Sequence, residues 1–120
     1  MAKMVDNSVL DAALNVIRGS TRMTVCSAQP ANYAGIAAVL LAPVTMAPAD
    51  FVIANGDTSG RKVTMGAKST VPVTASGSAT HVCLDNGATL LYATTCASVA
   101  VTNGGQVNIP TWKVEIASPS

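Results

Sequence analysis

The sequence predicts a mainly β protein, an antiparallel β-sandwich or barrel led by one N-terminal α-helix. Three observations predict it. One segment near the start repeats its apolar residues at the spacing of a helix face. From residue 20 onward, short stretches alternate apolar and polar residues, as half-buried strands do. Gly, Asn and Pro separate those stretches at the intervals usual for antiparallel folds. A chain of 120 residues favours one core, so a single domain is expected over 1–120, with the helix at about 6–18 and the β domain at about 20–118.

Residues 6–18 read D-N-S-V-L-D-A-A-L-N-V-I-R. Val9, Leu10, Ala13, Leu14 and Ile17 recur at helical spacing and share one face. Asp6, Asn7 or Ser8 can cap the start, and Ser8 with Asp11 resembles a capping box. Arg18 suits the negative end of the helix dipole, and Gly19 suits a left-handed C′ position. A helix of about three turns is marginal alone, so its apolar stripe must dock on its own sheet or on a neighbouring subunit.

After Gly19 the pattern becomes that of strands. Residues 21–27 alternate Met23 and Val25 against Thr24. Residues 36–47, apolar and broken at Pro43, fit one covered strand or two elements. Residues 51–54 and 61–65 are short strands, the second alternating Val63 and Met65 with Lys62 and Thr64. Pro72 cannot donate to a ladder, so Val71 and Val73 belong to an edge strand.

Asn86-Gly87 is the preferred pair of a two-residue type I′ hairpin. That turn pairs Asp85 with Ala88, Cys83 with Leu90 and His81 with Tyr92. A second hairpin is expected from Val99 and Val101 through T-N-G-G-Q to Val107 and Ile109. The apolar parity then slips at Pro110, from odd positions to Trp112, Val114 and Ile116, which predicts a bulge or bend that re-aims the last strand. Trp112 is expected in the core, with Lys113 and Glu115 outward.

Composition narrows the function classes. Charged residues make up 11% of the chain while 49% is apolar, against about 25% charge in ordinary soluble domains. A surface so poor in charge is readily explained if another protein covers part of it. Seven Lys and Arg face six Asp and Glu without a basic run, which argues against specific nucleic-acid binding. Met1-Ala2-Lys3-Met4 leads into a polar segment, so no signal peptide is expected. The apolar run 36–43 is shorter than the roughly 20 residues a bilayer demands, so a soluble protein with no membrane partner is expected. Cys26, Cys83 and Cys96 form no C-x-x-C pair and His81 is the one histidine, so free buried thiols are expected and no metal site.

The loop 54–64, A-N-G-D-T-S-G-R-K-V-T, invites a phosphate or metal reading. Gly56 and Gly60 stand too close for a phosphate loop, Arg61 follows the second glycine, and Val63 occupies the hydroxyl position. Asp57 is the one acid between Gly56 and Lys68, too few for calcium. Asn55, Gly56, Asp57, Thr58 and Ser59 match turn chemistry instead. His81 could act as a base towards Ser78 or Cys83, but no orienting acid or oxyanion-hole signature accompanies them. Asp6, Asp11, Asp50, Asp57, Asp85 and Glu115 are scattered over caps, turns and an exposed strand position. No catalytic residue, cofactor or small-molecule substrate is expected, and the chain is not read as an enzyme.

Four strings carry a resemblance: M-V-D-N-S-V-L-D-A-A-L-N-V-I, V-C-S-A-Q-P-A-N-Y, G-D-T-S-G-R-K-V-T and N-I-P-T-W-K-V-E-I-A-S-P. In this order they resemble a family of small structural proteins of tailed bacteriophages. The resemblance implies a virion component, foremost a head decoration (cement) protein that stabilises the phage head by bridging capsomers. Its implied partners are the major capsid protein and copies of itself, in a symmetric dimer or trimer. It would be made in the bacterial host cytoplasm and reside in the virion, on the phage head. A tail or head–tail connector component is the alternative. A small carbohydrate-binding β-domain is a further one, although it would display more aromatics than Tyr33, Phe51, Tyr92 and Trp112. The helix and the 54–64 loop are the expected sites of intersubunit contact.

Overall fold

A computed structural model describes residues 5–117; the opening Met1-Ala2-Lys3-Met4 and the expected boundary at residue 118 lie outside them. The chain is mainly β with an N-terminal helix, and all its strand pairings are antiparallel. The arrangement is sandwich-like, and among the described residues no sheet closes into a barrel.

Helix α1 (Asn7–Arg18) starts at Asp6, whose carboxylate accepts the Ser8 N–H at 2.9 Å. The capping box expected of Ser8 and Asp11 does not form, because Asp11 turns away to Arg61 at 2.7 Å. Gly19 is not left-handed either. At φ −74° its N–H reaches the Asn15 and Val16 carbonyls, and a Cβ there would lie 3.2 Å from the Val16 oxygen. Leu10 and Leu14 are buried and Ile17 packs against the core, but Val9 and Ala13 are exposed. The apolar surface of α1 is therefore wider than its docked stripe. Val9, Ala13 and Val16 form a flank turned about a quarter-circle away.

The larger sheet runs β2–β1–β6–β7, with β1 (Arg22–Cys26) and β6 (Gly77–Asp85) inside and β2 (Leu40–Thr45) and β7 (Leu90–Val101) at its edges. The stretch 36–47 divides between two elements, a one-turn helix α2 (Ile36–Val39) and then β2. The second layer holds β3 (Phe51–Asn55), β4 (Arg61–Met65) and β9 (Trp112–Ile116), with β4 central, and a separate pair of β5 (Lys68–Pro72) and β8 (Gln106–Ile109). Leu14, Met23, Val63, Met65 and Leu84 are fully buried between helix and layers. With so few aromatics, sulfur and branched aliphatics fill the interior. Trp112 is half-buried rather than enclosed: its ring lies 6.0 Å from Tyr92, and its N–H points at the Met23 sulfur at 3.4 Å. Lys113 and Glu115 are outward, as the alternation predicts.

Two pairings differ from the sequence expectation. The β6–β7 hairpin pairs Asp85 with Leu90, Cys83 with Ala93 and His81 with Thr95, so its loop is 86–89. Gly87 is at φ +88° but Asn86 is not at positive φ, which a type I′ turn requires. Local side chains decide this: the Asn86 carboxamide accepts from Ala88 and Thr89, and Asp85 accepts from Gly87 at 3.0 Å. The second hairpin does not form either. After Val101 the turn bonds to Val73, through Gly104 N–H to its carbonyl and its N–H to Gly105, which delivers β8 to β5. Pro110 then marks a change of sheet, from β8 beside β5 to β9 beside β4. Pro72 ends β5 at an edge, and Thr70 there sits at φ +54°, held by the Asn108 side chain at 2.8 Å.

Asp85 fixes how β1 meets β6. It is fully buried, faces Arg22 in the register, and accepts from the Arg22 guanidinium at 3.0 Å. That guanidinium lies 5.7 Å over the Tyr33 ring. Removing one partner of such a pair leaves a charge in an apolar interior. Arg22→Met is expected to lower the stability by about 3 kcal/mol in urea unfolding, and Arg22→Met/Asp85→Asn to recover most of it. Equal losses in the single and double variants would show that the carboxylate is not confined.

Candidate functional site

The 54–64 loop is a hairpin turn between β3 and β4. Asn55 pairs with Arg61, and the Gly56 N–H donates to the Gly60 carbonyl at 2.9 Å. Gly60 lies at φ +68°, and a Cβ on it would collide with the Ile116 carbonyl; one on Gly56 would collide with that of Ser59. The loop is not the polar protrusion expected from its composition, because it folds back onto the sheet. Asp57 takes Lys62 at 2.6 Å and also Lys113, while its N–H donates to Glu115. Arg61 holds Asn55 and Asp11, both at 2.7 Å. The side chains that could have met a phosphate or a cation are thus engaged with one another.

The other acids are also tied to partners within the chain. Asp50 accepts the Ala47 N–H at 2.7 Å and the Lys68 ammonium at 2.9 Å, and these, in that order, hold its carboxyl below the ordinary range. Asp6 caps α1, and its bonds with Ser8 likewise lower it. Among the described residues no three His, Cys, Asp or Glu side chains gather as metal ligands would.

His81 is half-buried, with Thr80 Oγ1 at 2.9 Å from its Nδ1. Ser78, three residues earlier and beyond the irregularity between Ala79 and His81, is exposed beside Ala100. Cys83 shares the His81 face but is fully buried, so the structure does not join these three into a reacting group. Cys83 instead pairs with Cys26: Thr24 faces Cys83 and Cys26 faces His81, which sets the two thiols diagonally across adjacent strands. Their hydrogen bond, then burial, raises the Cys83 thiol far above its ordinary range, and the same bond draws Cys26 the other way. Spacing 57 residues apart hid this pair from a linear reading. Cys96 departs from the expected burial. It is exposed on β7, although the apolar surroundings of its sulfur still raise its pKa.

What remains is surface. The large apolar side chains left exposed are Val9 and Val16 on α1, Val52 on β3 and Val99 on β7. Among the described residues strand β7 has no strand on its outer side; it carries no charge over Leu90–Val101 and is exposed on both faces from Thr95 to Ala100. Beside it runs an apolar groove of about 270 Å³, floored by Ala79 and Val82 and walled by Cys96 and Val99 on one side and Ile109 and Pro110 on the other. These features suit contact with a protein surface rather than the binding of a small polar molecule. The sequence showed the strand but not the vacancy next to it.

The two tight turns can be separated by glycine substitution. Gly104 is at φ +88° with open space where a Cβ would go, so Gly104→Ala should cost about 1 kcal/mol from backbone strain alone. Gly60→Ala must also displace the Ile116 carbonyl and should cost about 3 kcal/mol in chemical denaturation. Similar losses at both sites would mean that the β3–β4 turn relaxes freely. For the cysteines, one thiol is expected to react with a disulfide reagent in the native protein and three in denaturant. Three fast thiols in the native protein would place Cys26 and Cys83 at the surface.

No protein-family model matches the chain, and neither a curated protein nor a solved structure does.

Proposed function

We propose that this protein is a structural component of a tailed-phage virion, a head decoration protein that bridges capsomers. One observation carries the assembling role: a long, uncharged, exposed strand edge beside an apolar groove, on a fold whose acids are all engaged internally. The virion context comes from the four strings that resemble the phage family. Many identical modest contacts gain strength when the surface they bind repeats, so a cement protein works through adhesion and rigidity. The body suits this, being 55 Å long and about 25 Å across. Its ends can reach different neighbours on a shell.

The test is to locate the chain in purified particles of the phage that encodes it, by mass spectrometry and cryo-EM. Density at every capsomer is the expected outcome. Density along the tail or at a single vertex would replace decoration with a connector role. Absence from the particles would overturn the virion reading altogether.

A further inference from the structure

We infer that two copies of this chain associate through the outer edge of β7, pairing antiparallel about a two-fold axis beside Ala97, so that their four-stranded sheets join into one. The inference deepens the assembling role given above, but it rests on the fold and not on the virion context.

Strand edges present unpaired N–H and C=O groups, and proteins that stay monomeric blunt them with proline, charge, shortness, a bulge or a cover. The other edges of this fold show such devices. Strand β2 contains Pro43, and its Leu41 carbonyl is taken by Thr74 at 2.8 Å. Strand β5 begins with Lys68 and ends with Pro72, Pro110 closes β8, and β9 carries Lys113 and Glu115. Strand β3 has five residues. Strand β7 has twelve residues, L-L-Y-A-T-T-C-A-S-V-A-V, with neither charge nor proline. Of its two irregularities, one leaves Leu91 unmatched between Leu90 and Tyr92 and the other bulges Cys96, Ala97 and Ser98 against the single Thr80; neither puts a charge on the edge.

A second copy of the same strand fits this edge for a reason of symmetry. Antiparallel pairing about a two-fold axis sets a residue at the axis against its own copy and its neighbours close to theirs, so a charge near the axis would lie beside its like. An uncharged strand is self-complementary in this sense. The exposed run Thr95–Ala100 centres at Ala97 and Ser98, which places the axis there. An added strand would also lie along the groove between β7 and the Ile109–Pro110 bend, covering Val99, which is 50% exposed. The axis brings the Cys96 residues of the two copies within about two to three strand positions of each other.

The full chain, held reduced, is examined by sedimentation velocity over a range of concentrations. A dimer is expected, and Val99→Lys and Ala97→Lys, each at an exposed position, should weaken it at least tenfold without moving the unfolding midpoint of the dissociated chain at high dilution. Val9→Lys and Val16→Lys, on the exposed flank of α1, should leave the dimer intact. A short bis-maleimide at mildly alkaline pH should link two copies through Cys96 and fail with Cys96→Ser. A monomer at every concentration would overturn the inference, as would a dimer dissolved by the helix variants instead or a cross-link that survives Cys96→Ser. A monomer found at every capsomer would refute this pairing while leaving the decoration role standing.

Discussion

The buried carboxylate of Asp85 constrains more of this fold than any other single group. It faces Arg22 across the β1–β6 ladder, and it also accepts from the Gly87 N–H in the following turn. A one-residue slip of that ladder would turn Asp85 to the other face and part it from its cation, so the register is held by the cost of an unpaired buried charge. Once Arg22 faces Asp85, Met23 must face Leu84 and Val25 must face Val82. These four side chains are buried in the main core, while Cys26 and Cys83 on the other face pack beneath Ile36. The turn after Asp85 then opens to four residues, and that length sets which side chains of β7 meet which of β6.

The same economy of charge runs through the rest of the chain. Six acids serve as a helix cap, as ion-pair partners across elements, or as acceptors for turn amides. Arg61–Asp11 ties α1 to β4, Lys68–Asp50 ties the approach to β3 to β5, and Asp57 with Lys62 and Lys113 ties the β3–β4 turn across the outer face of its sheet. Exposed pairs of this kind add little stability each. Their larger effect is that most of the charge of an already charge-poor chain is held in pairs within it. The edge of β7, on the other sheet, is left neutral.

Elements whose cause is local were legible in the sequence. The helix followed from its spacing and cap, the β3–β4 turn from Asn, Gly and Asp chemistry, and the outward Lys113 and Glu115 from alternation. The bend at Pro110 followed from the slip in parity, although its meaning as a change of sheet did not. Failures arose where two local signals competed or where the cause lay far away. At Asn86-Gly87 the glycine favoured a two-residue turn, and the side chains of Asp85 and Asn86 imposed a four-residue one. Strand β8 looked like the partner of β7, yet Val73, some thirty residues earlier, captures the turn between them. The helix face was read one column too wide, because periodicity marks which residues are apolar and not which of them the sheet reaches. The candidate site had the same limit. A strand can be read from its residues, whereas an empty place beside it depends on how the remaining strands distribute.

The four strings behind the phage resemblance bear on this in an unexpected way. One caps and forms α1, one ends β1 and enters the Tyr33 turn, one is the β3–β4 turn, and one runs from β8 through Pro110 into β9. Three of them meet in space: Asp11 binds Arg61, the Asp57 amide binds Glu115, and Gly60 lies under the Ile116 carbonyl. They describe a helix, a turn and a terminal strand locked together, which is scaffold. None of them includes any residue of β7. A resemblance carried by such strings is therefore silent about the surface through which that framework makes contact. In this chain the proposed contact surface rests on the geometry of β7 itself, on its length, its neutrality and, among the described residues, the absence of a neighbouring strand.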